Sequence, residues 1–297
     1  MPTSTDPLVR FFFLAMLCIA TLVAEQRVSA EPPGTAVQPR GLTLGREQNW
    51  LVIRGPQLPG GEIRVNYLEA YCRAGSTDAD WVKHTVIPHT SELLEAGDKT
   101  VKIRDRLTDG LVVEHVITAG SDEIDFRVTA TNPTPTRSEA HWAQACPRLG
   151  AFAGVDPKGR DIEDYVPKCF VFLDGSLARM PTKGWVKQAR YMPGQVWCPT
   201  HVPRTDVNPR QLNPHVPSNG LIGVFSGDES LVFATAWEPY QELFQGVARC
   251  VHADFRLGGL AAGEKKQIRG KIYVVPADIP RLLARYQADF PEHAPGR

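Results

Sequence analysis

From residue 41 onward, apolar and polar positions alternate with a period of two, which is how a strand with one buried face reads. In residues 62–72 the residues Ile63, Val65, Tyr67 and Tyr71 share one face and Arg64 and Asn66 take the other, with Glu69 an oddity among the apolar positions. The runs 111–118 and 124–130 flank the turn-rich tetrapeptide Ala119-Gly120-Ser121-Asp122 and predict a hairpin. Further strands are expected at 50–54, 100–104, 169–173, 221–225, 231–236, 250–257 and 268–275. Many short strands punctuated by glycine and proline predict an all-β fold, a large antiparallel sandwich. A single helix is expected near the C-terminus, where Asp278 can cap, Pro280 suits the first turn, and Leu282, Leu283, Tyr286 and Phe290 recur at helical spacing.

The ends of the chain read differently. Arg10 precedes an apolar run over 11–24, and Val28-Ser29-Ala30 supplies the small residues of a cleavage site. The run is shorter than the roughly 20 residues that span a bilayer, so a signal peptide over 1–30, cleaved after Ala30, is expected, with secretion or export to a periplasm and no stable membrane insertion. A flexible lead-in is expected over 31–40, with Pro32, Pro33 and Pro39, and a single β-sandwich domain over 41–293, a length within the reach of one large sandwich. The 33 basic and 33 acidic residues cancel. No basic footprint for nucleic acid follows from that balance.

Beyond the leader five cysteines remain, Cys72, Cys146, Cys169, Cys198 and Cys250, an odd number in an exported chain, so at least one stays unpaired. Cys198 with Cys250, and Cys146 with Cys169, are possible pairs. Two short Cys/His pairs, Cys198 with His201 and Cys250 with His252, Asp254 following, have the donor types of zinc. Cys250 and His252 share a strand face by the period of two alone, so no metal or other cofactor is expected. The stretch 199–220 is rich in proline, asparagine and histidine and lacks apolar periodicity, which predicts an ordered binding loop.

A family resemblance rests on two segments. Residues 126–131 lead into Asn132-Pro133-Thr134-Pro135-Thr136 and then His141-Trp142, and Glu238 and Gln241 precede Leu260-Ala261-Ala262-Gly263-Glu264, which opens the last strand. This order resembles the aldose 1-epimerases of the galactose mutarotase-like superfamily over roughly residues 110–275. Ala140 stands where the family has asparagine before the histidine, and Gln241 lies one residue later than the family pattern.

The resemblance implies a supersandwich that binds carbohydrate. It also implies acid/base chemistry on a sugar hemiacetal, with Glu238 as base and His141 or His215 as acid. Lyase-type chemistry on the same sandwich would need a cation from Arg190, Arg204, Arg210 or Arg249 and a proton-transfer partner such as Tyr191 or Tyr240. Sugar contacts are expected from flat aromatic faces among Trp142, Trp185, Trp197 and Trp237, and from His201, Gln241 and Arg249. The alternative is a non-catalytic carbohydrate-binding or cell-envelope structural module, which the missing asparagine favours.

Overall fold

The computed structural model describes residues 41–75, 81–155, 164–182, 196–206, 212–246 and 248–293. The expected leader and lead-in, together with Trp185, Arg190, Tyr191 and Arg210, lie outside the described residues. The strands in the first half are β1 (Thr43–Glu47), β2 (Trp50–Arg54), β3 (Glu62–Arg73), β4 (Val86–Ile87), β5 (His89–Ala96), β6 (Thr100–Leu107), β7 (Val112–Ala119), β8 (Glu123–Thr131) and β9 (Ala140–Arg148). There follow β10 (Cys169–Leu173), β11 (Ser176–Arg179), β12 (Val196–Trp197), β13 (Ile222–Phe225), β14 (Leu231–Glu238), β15 (Tyr240–Gly246), β16 (Cys250–Arg256), β17 (Lys265–Pro276) and the helix α1 (Ile279–Asp289).

Among the described residues these strands build two sheets. One runs β1-β2-β3-β9-β16-β15-β12, with β4 beside β3, and the other β11-β10-β13-β14-β17-β8-β7-β6-β5. The named strand pairs are antiparallel. The all-β sandwich with a short C-terminal helix is therefore the fold. Among the described residues no helix is long and apolar enough to cross a membrane.

Alternation decides which side chains meet between the sheets. In β14 Phe233 and Trp237 point into the shared core, while Val232, Ala234 and Ala236 face outward beneath α1. Both faces of β14 are thus covered, and its sequence reads as one continuous apolar run. Trp237 fills the middle of the sandwich, with ring centroids 5.0 Å from Phe126 and 4.8 Å from Phe255. It lies against Gly270, where a Cβ would fall 2.3 Å from the indole. The helix begins where expected, the Asp278 carboxylate accepting the Arg281 backbone N–H at 3.1 Å, and it buries Leu282 and Tyr286.

A polar network crosses the core. Tyr71 donates to Asp105 at 2.6 Å and lies 3.0 Å from His115 Nε2, while Tyr67 is 2.8 Å from His115 Nδ1. All four residues are buried. Burial alone would raise the Asp105 carboxyl, but hydrogen bonds from His115, Ser91 and Tyr71 outweigh it and hold the group at about 2.

Two local features bend this regular plan. Between Asn66 and Ala70 the β3–β9 register shifts, and the bulge re-aims a side chain: Glu69 leaves the apolar face and meets Gln144 at 2.6 Å and Arg148 at 3.6 Å. At the far end of the longer sheet β5 is an edge strand. Its residues after His89 are exposed, and its register with β6 shifts between Leu93 and Glu95.

Candidate functional site

Cys250, His252, Asp254 and Arg256 alternate along β16, so one face of this strand carries four polar side chains over roughly 20 Å. The residues between them, Val251, Ala253 and Phe255, belong to the inter-sheet core. The polar stripe therefore lies on the opposite face of the sheet, and it is nonetheless buried: Cys250 is 3 % exposed, His252 2 % and Asp254 0 %.

Register sets the neighbours. On one side Glu242, Phe244 and Gly246 of β15 stand opposite Asp254, His252 and Cys250. On the other, Ala143 and Trp142 of β9 pair with Phe255 and Arg256, and Leu149 donates to the Arg249 carbonyl at 2.8 Å with the same offset. That offset puts Gln144 beside Asp254 and Cys146 beside His252. Gln144, Asp254 and Glu242 thus form one row across three adjacent strands, with Cβ atoms of opposed residues about 5 Å apart. The Gln144 amide donates to Glu69, and its carbonyl oxygen makes no hydrogen bond among the described residues. Phe244 is covered by Val196, Cys198, Val202 and Leu212, and Trp142 lies beneath Trp81 and Val86.

Each end of the stripe has its own electrostatics. At one, Arg256 donates to the Gln241 side-chain carbonyl at 2.6 Å and to the Asp206 carboxylate at 3.0 Å, Gln241 donates to the Asp206 backbone carbonyl at 2.9 Å, and His141 Nδ1 is 3.2 Å from the same carboxylate. Partial desolvation and the nearby Arg256 guanidinium push both the His201 imidazole and the Lys266 ammonium below their ordinary values. At the other end, a hydrogen bond from Cys146 and the charge of His252 draw the Cys250 thiol well down, and Cys146, the donor, moves up. Burial would depress the His252 imidazole, but the Cys250 thiolate and the Asp254 carboxylate raise it to about 10.

The residues singled out from sequence are divided by the fold. Gln241 and His141 converge on Arg256 and Asp206, as above. Glu238 stands on β14 of the other sheet, its carboxylate 2.6 Å from His293 Nε2; His293 Nδ1 is 2.5 Å from the Tyr286 hydroxyl, which accepts the Gly220 backbone N–H at 2.8 Å. His201 is exposed, with its ring edge-on to Tyr240 at 6.3 Å. His215 lies elsewhere, bonded to Asn213 and lining a cavity of about 350 Å³ with Leu173, Asp174 and Arg179. Arg249 sits in the β15–β16 turn with φ of 51°, separated from Arg256 by the length of β16. Trp142, Trp197 and Trp237 are each at most 2 % exposed and offer no open face: Trp237 and Trp197 pack in the inter-sheet core, Trp142 in the small cluster with Ala70 and Cys72.

The described cysteines are all buried thiols, and neither of the two pairings that the sequence left open is formed. Cys250 faces Cys146, Cys169 donates to the Tyr165 carbonyl at 3.5 Å, and Cys198 receives a contact from Arg204 at 3.5 Å. Glu242 and Gln144 escaped the sequence reading, and Cys146 entered it only as a possible disulfide partner of Cys169. The signal that could have found Gln144 and Cys146 is polar residues recurring at every second position of 144–148 and 250–256, strands whose other positions are apolar; 242–246 lacks that alternation, with Phe244 and Gly246 in phase with Glu242 and Gln245 out of phase.

Comparison of the sequence with protein-family models and with curated proteins finds no match. Among solved structures the chain is similar to a putative aldose 1-epimerase from Escherichia coli K12, at TM-score 0.40 and 9 % identity over 78 % of this chain and 98 % of that one. It is similar also to a galactose mutarotase-like protein from Lactobacillus casei, at 0.39 and 8 % over 79 % and 100 %. An α-mannosidase from Enterococcus faecalis matches at 0.41 and 10 %, covering 86 % of this chain and 30 % of the mannosidase. These likenesses are remote, and the sheet order described above stands without them.

Proposed function

We propose that this protein is an exported carbohydrate-binding protein that receives a sugar at the Arg256 end of the polar stripe of β16 and acts on it by acid/base chemistry of the epimerase or lyase kind. The observation that carries the reading is the meeting of His141, Asp206, Gln241 and Arg256 at that end, with the exposed His201 nearby, while the rest of the stripe is buried. Imidazole and guanidinium groups gathered in this way suit the hydroxyls of a sugar ring. His141, its Nδ1 3.2 Å from the Asp206 carboxylate, is the group placed to move a proton. Arg256 supplies positive charge for a developing oxyanion or a ligand carboxylate. The apolar run of residues 11–24 supports export.

Glu238 is the weaker choice of base, because it stands on the other sheet and His293 already occupies it. The same occupancy favours a second reading, a binding module without turnover. A glycan array followed by product analysis separates the two. Anomeric exchange, new reducing ends or unsaturated uronate from a bound glycan supports the enzyme, and their absence supports the module. For the enzyme, His141→Gln should lower turnover by about 100-fold or more with binding within about tenfold. Full turnover in that variant dismisses the role given to His141, and no glycan bound by the wild type dismisses the whole reading.

A further inference from the structure

Three soft donors meet at the Cys250 end of the stripe. The ligand atoms of Cys146, Cys250 and His252 lie within 4.8 Å of one another, all buried, with Cys250 Sγ 3.2 Å from His252 Nε2. A tetrahedral zinc ion, with bonds of about 2.3 Å to sulfur and about 2.0 Å to nitrogen, spaces its ligand atoms by about 3.5–3.8 Å. Shifts of about 1 Å or less close the three on one ion.

Features that a chance cluster of buried thiols does not require surround it. His252 turns Nε2 toward the sulfur and leaves Nδ1 facing Asp254 Oδ1 at 3.4 Å. A carboxylate behind an imidazole fixes the tautomer and orientation of a metal-bound histidine. Phe244 stacks on the same ring at 4.1 Å and 10°, holding its plane. Opposite Cys250 stands Gly246, where a Cβ would fall 2.4 Å from the Cys250 sulfur and 3.5 Å from His252 Nε2. Its backbone is not among the left-handed positions, so space above the donors, and not conformation, accounts for the glycine.

We infer that Cys146, Cys250 and His252 bind one thiophilic divalent metal ion, zinc by its donor set, with Asp254 as the positioning carboxylate and Gly246 as the clearance. Two sulfurs and one imidazole exclude calcium and magnesium, which take oxygen ligands. Three protein ligands leave a fourth position for water or a small ligand. The inference goes beyond the sugar reading and does not rest on it, since the ion is measured with no glycan present.

The test uses the whole protein, purified under reducing conditions and titrated with cobalt(II) as a spectroscopic probe for zinc. The expected result is one ion per chain, a thiolate-to-cobalt charge-transfer band, and displacement of cobalt by zinc. Cys250→Ala and His252→Ala should weaken cobalt binding by about 100-fold or more, and Asp254→Asn by about 10- to 100-fold. Gly246→Ala should weaken it as severely as loss of a ligand, and Cys169→Ser, a buried thiol elsewhere, should leave it unchanged. If the ligand variants fail to fold, the wild-type spectrum decides alone. No charge-transfer band in the reduced wild-type protein, or binding that survives in a folded Cys250→Ala variant, overturns the proposal; so does a Cys146–Cys250 disulfide in the protein isolated without reductant and resistant to reduction in the folded state.

Discussion

The buried carboxyl of Asp105 gives stability a computable dependence on acidity. Its ordinary value is 3.8 and the fold holds it at about 2. A group depressed on folding contributes stability that is complete well above its unfolded value and disappears as pH falls through its folded one. The difference is worth about 2 kcal/mol at about pH 7, and about 1 kcal/mol of it remains at about pH 3. The wild-type protein should therefore lose about 1 kcal/mol through this residue between those two conditions. Asp105→Asn keeps the shape, lacks the ionisation and should lose correspondingly less, while every other carboxylate titrates alike in both proteins. Urea unfolding of each at the two acidities yields the double difference. Equal losses in the two proteins would mean that His115, Ser91 and Tyr71 do not hold the charged form, and the reasoning fails.

Two further substitutions probe the scaffold. Tyr286→Phe removes the hydroxyl that accepts the buried Gly220 N–H and touches His293, and should cost about 1–3 kcal/mol in urea unfolding; an unchanged midpoint would mean that the amide finds another acceptor. Gly270→Ala drives a methyl toward the Trp237 indole, 2.3 Å away, and should cost about 1–3 kcal/mol by overpacking with a blue or red shift of tryptophan emission; neither change appearing would show that the indole can slide aside.

How much was legible in advance follows from which faces are wet and which are dry. Strands β3, β6, β7 and β8 keep one apolar face and one solvated face, so period two announced them. Strands β9 and β15 were not separately anticipated as strands, because polar side chains occupy buried positions in both and the alternation has no plain reading. The same inversion hid the stripe. Cys250, His252 and Asp254 were visible as a same-face set, but their partners Cys146, Gln144 and Glu242 lie far away in sequence and join them only through sheet register. The tryptophans misled for a related reason: indoles beside polar segments look available to ligand, yet a sandwich of this size needs large side chains to fill its interior, and Trp237 wedges into the gap left by Gly270. The helix was read correctly down to its cap, since capping chemistry is local.

Among the described residues strand β5 ends the longer sheet with no further strand beside it, and such a border invites a neighbouring polypeptide to zip on. Here the invitation is spoiled in two ways. The slip between Leu93 and Glu95 breaks the even spacing that a docking strand would have to match, and Glu92 and Glu95 would set like charge against like in a second copy of the same border. Neutralising both glutamates while leaving the kink intact would weigh charge against geometry as the guard against fibrous self-association.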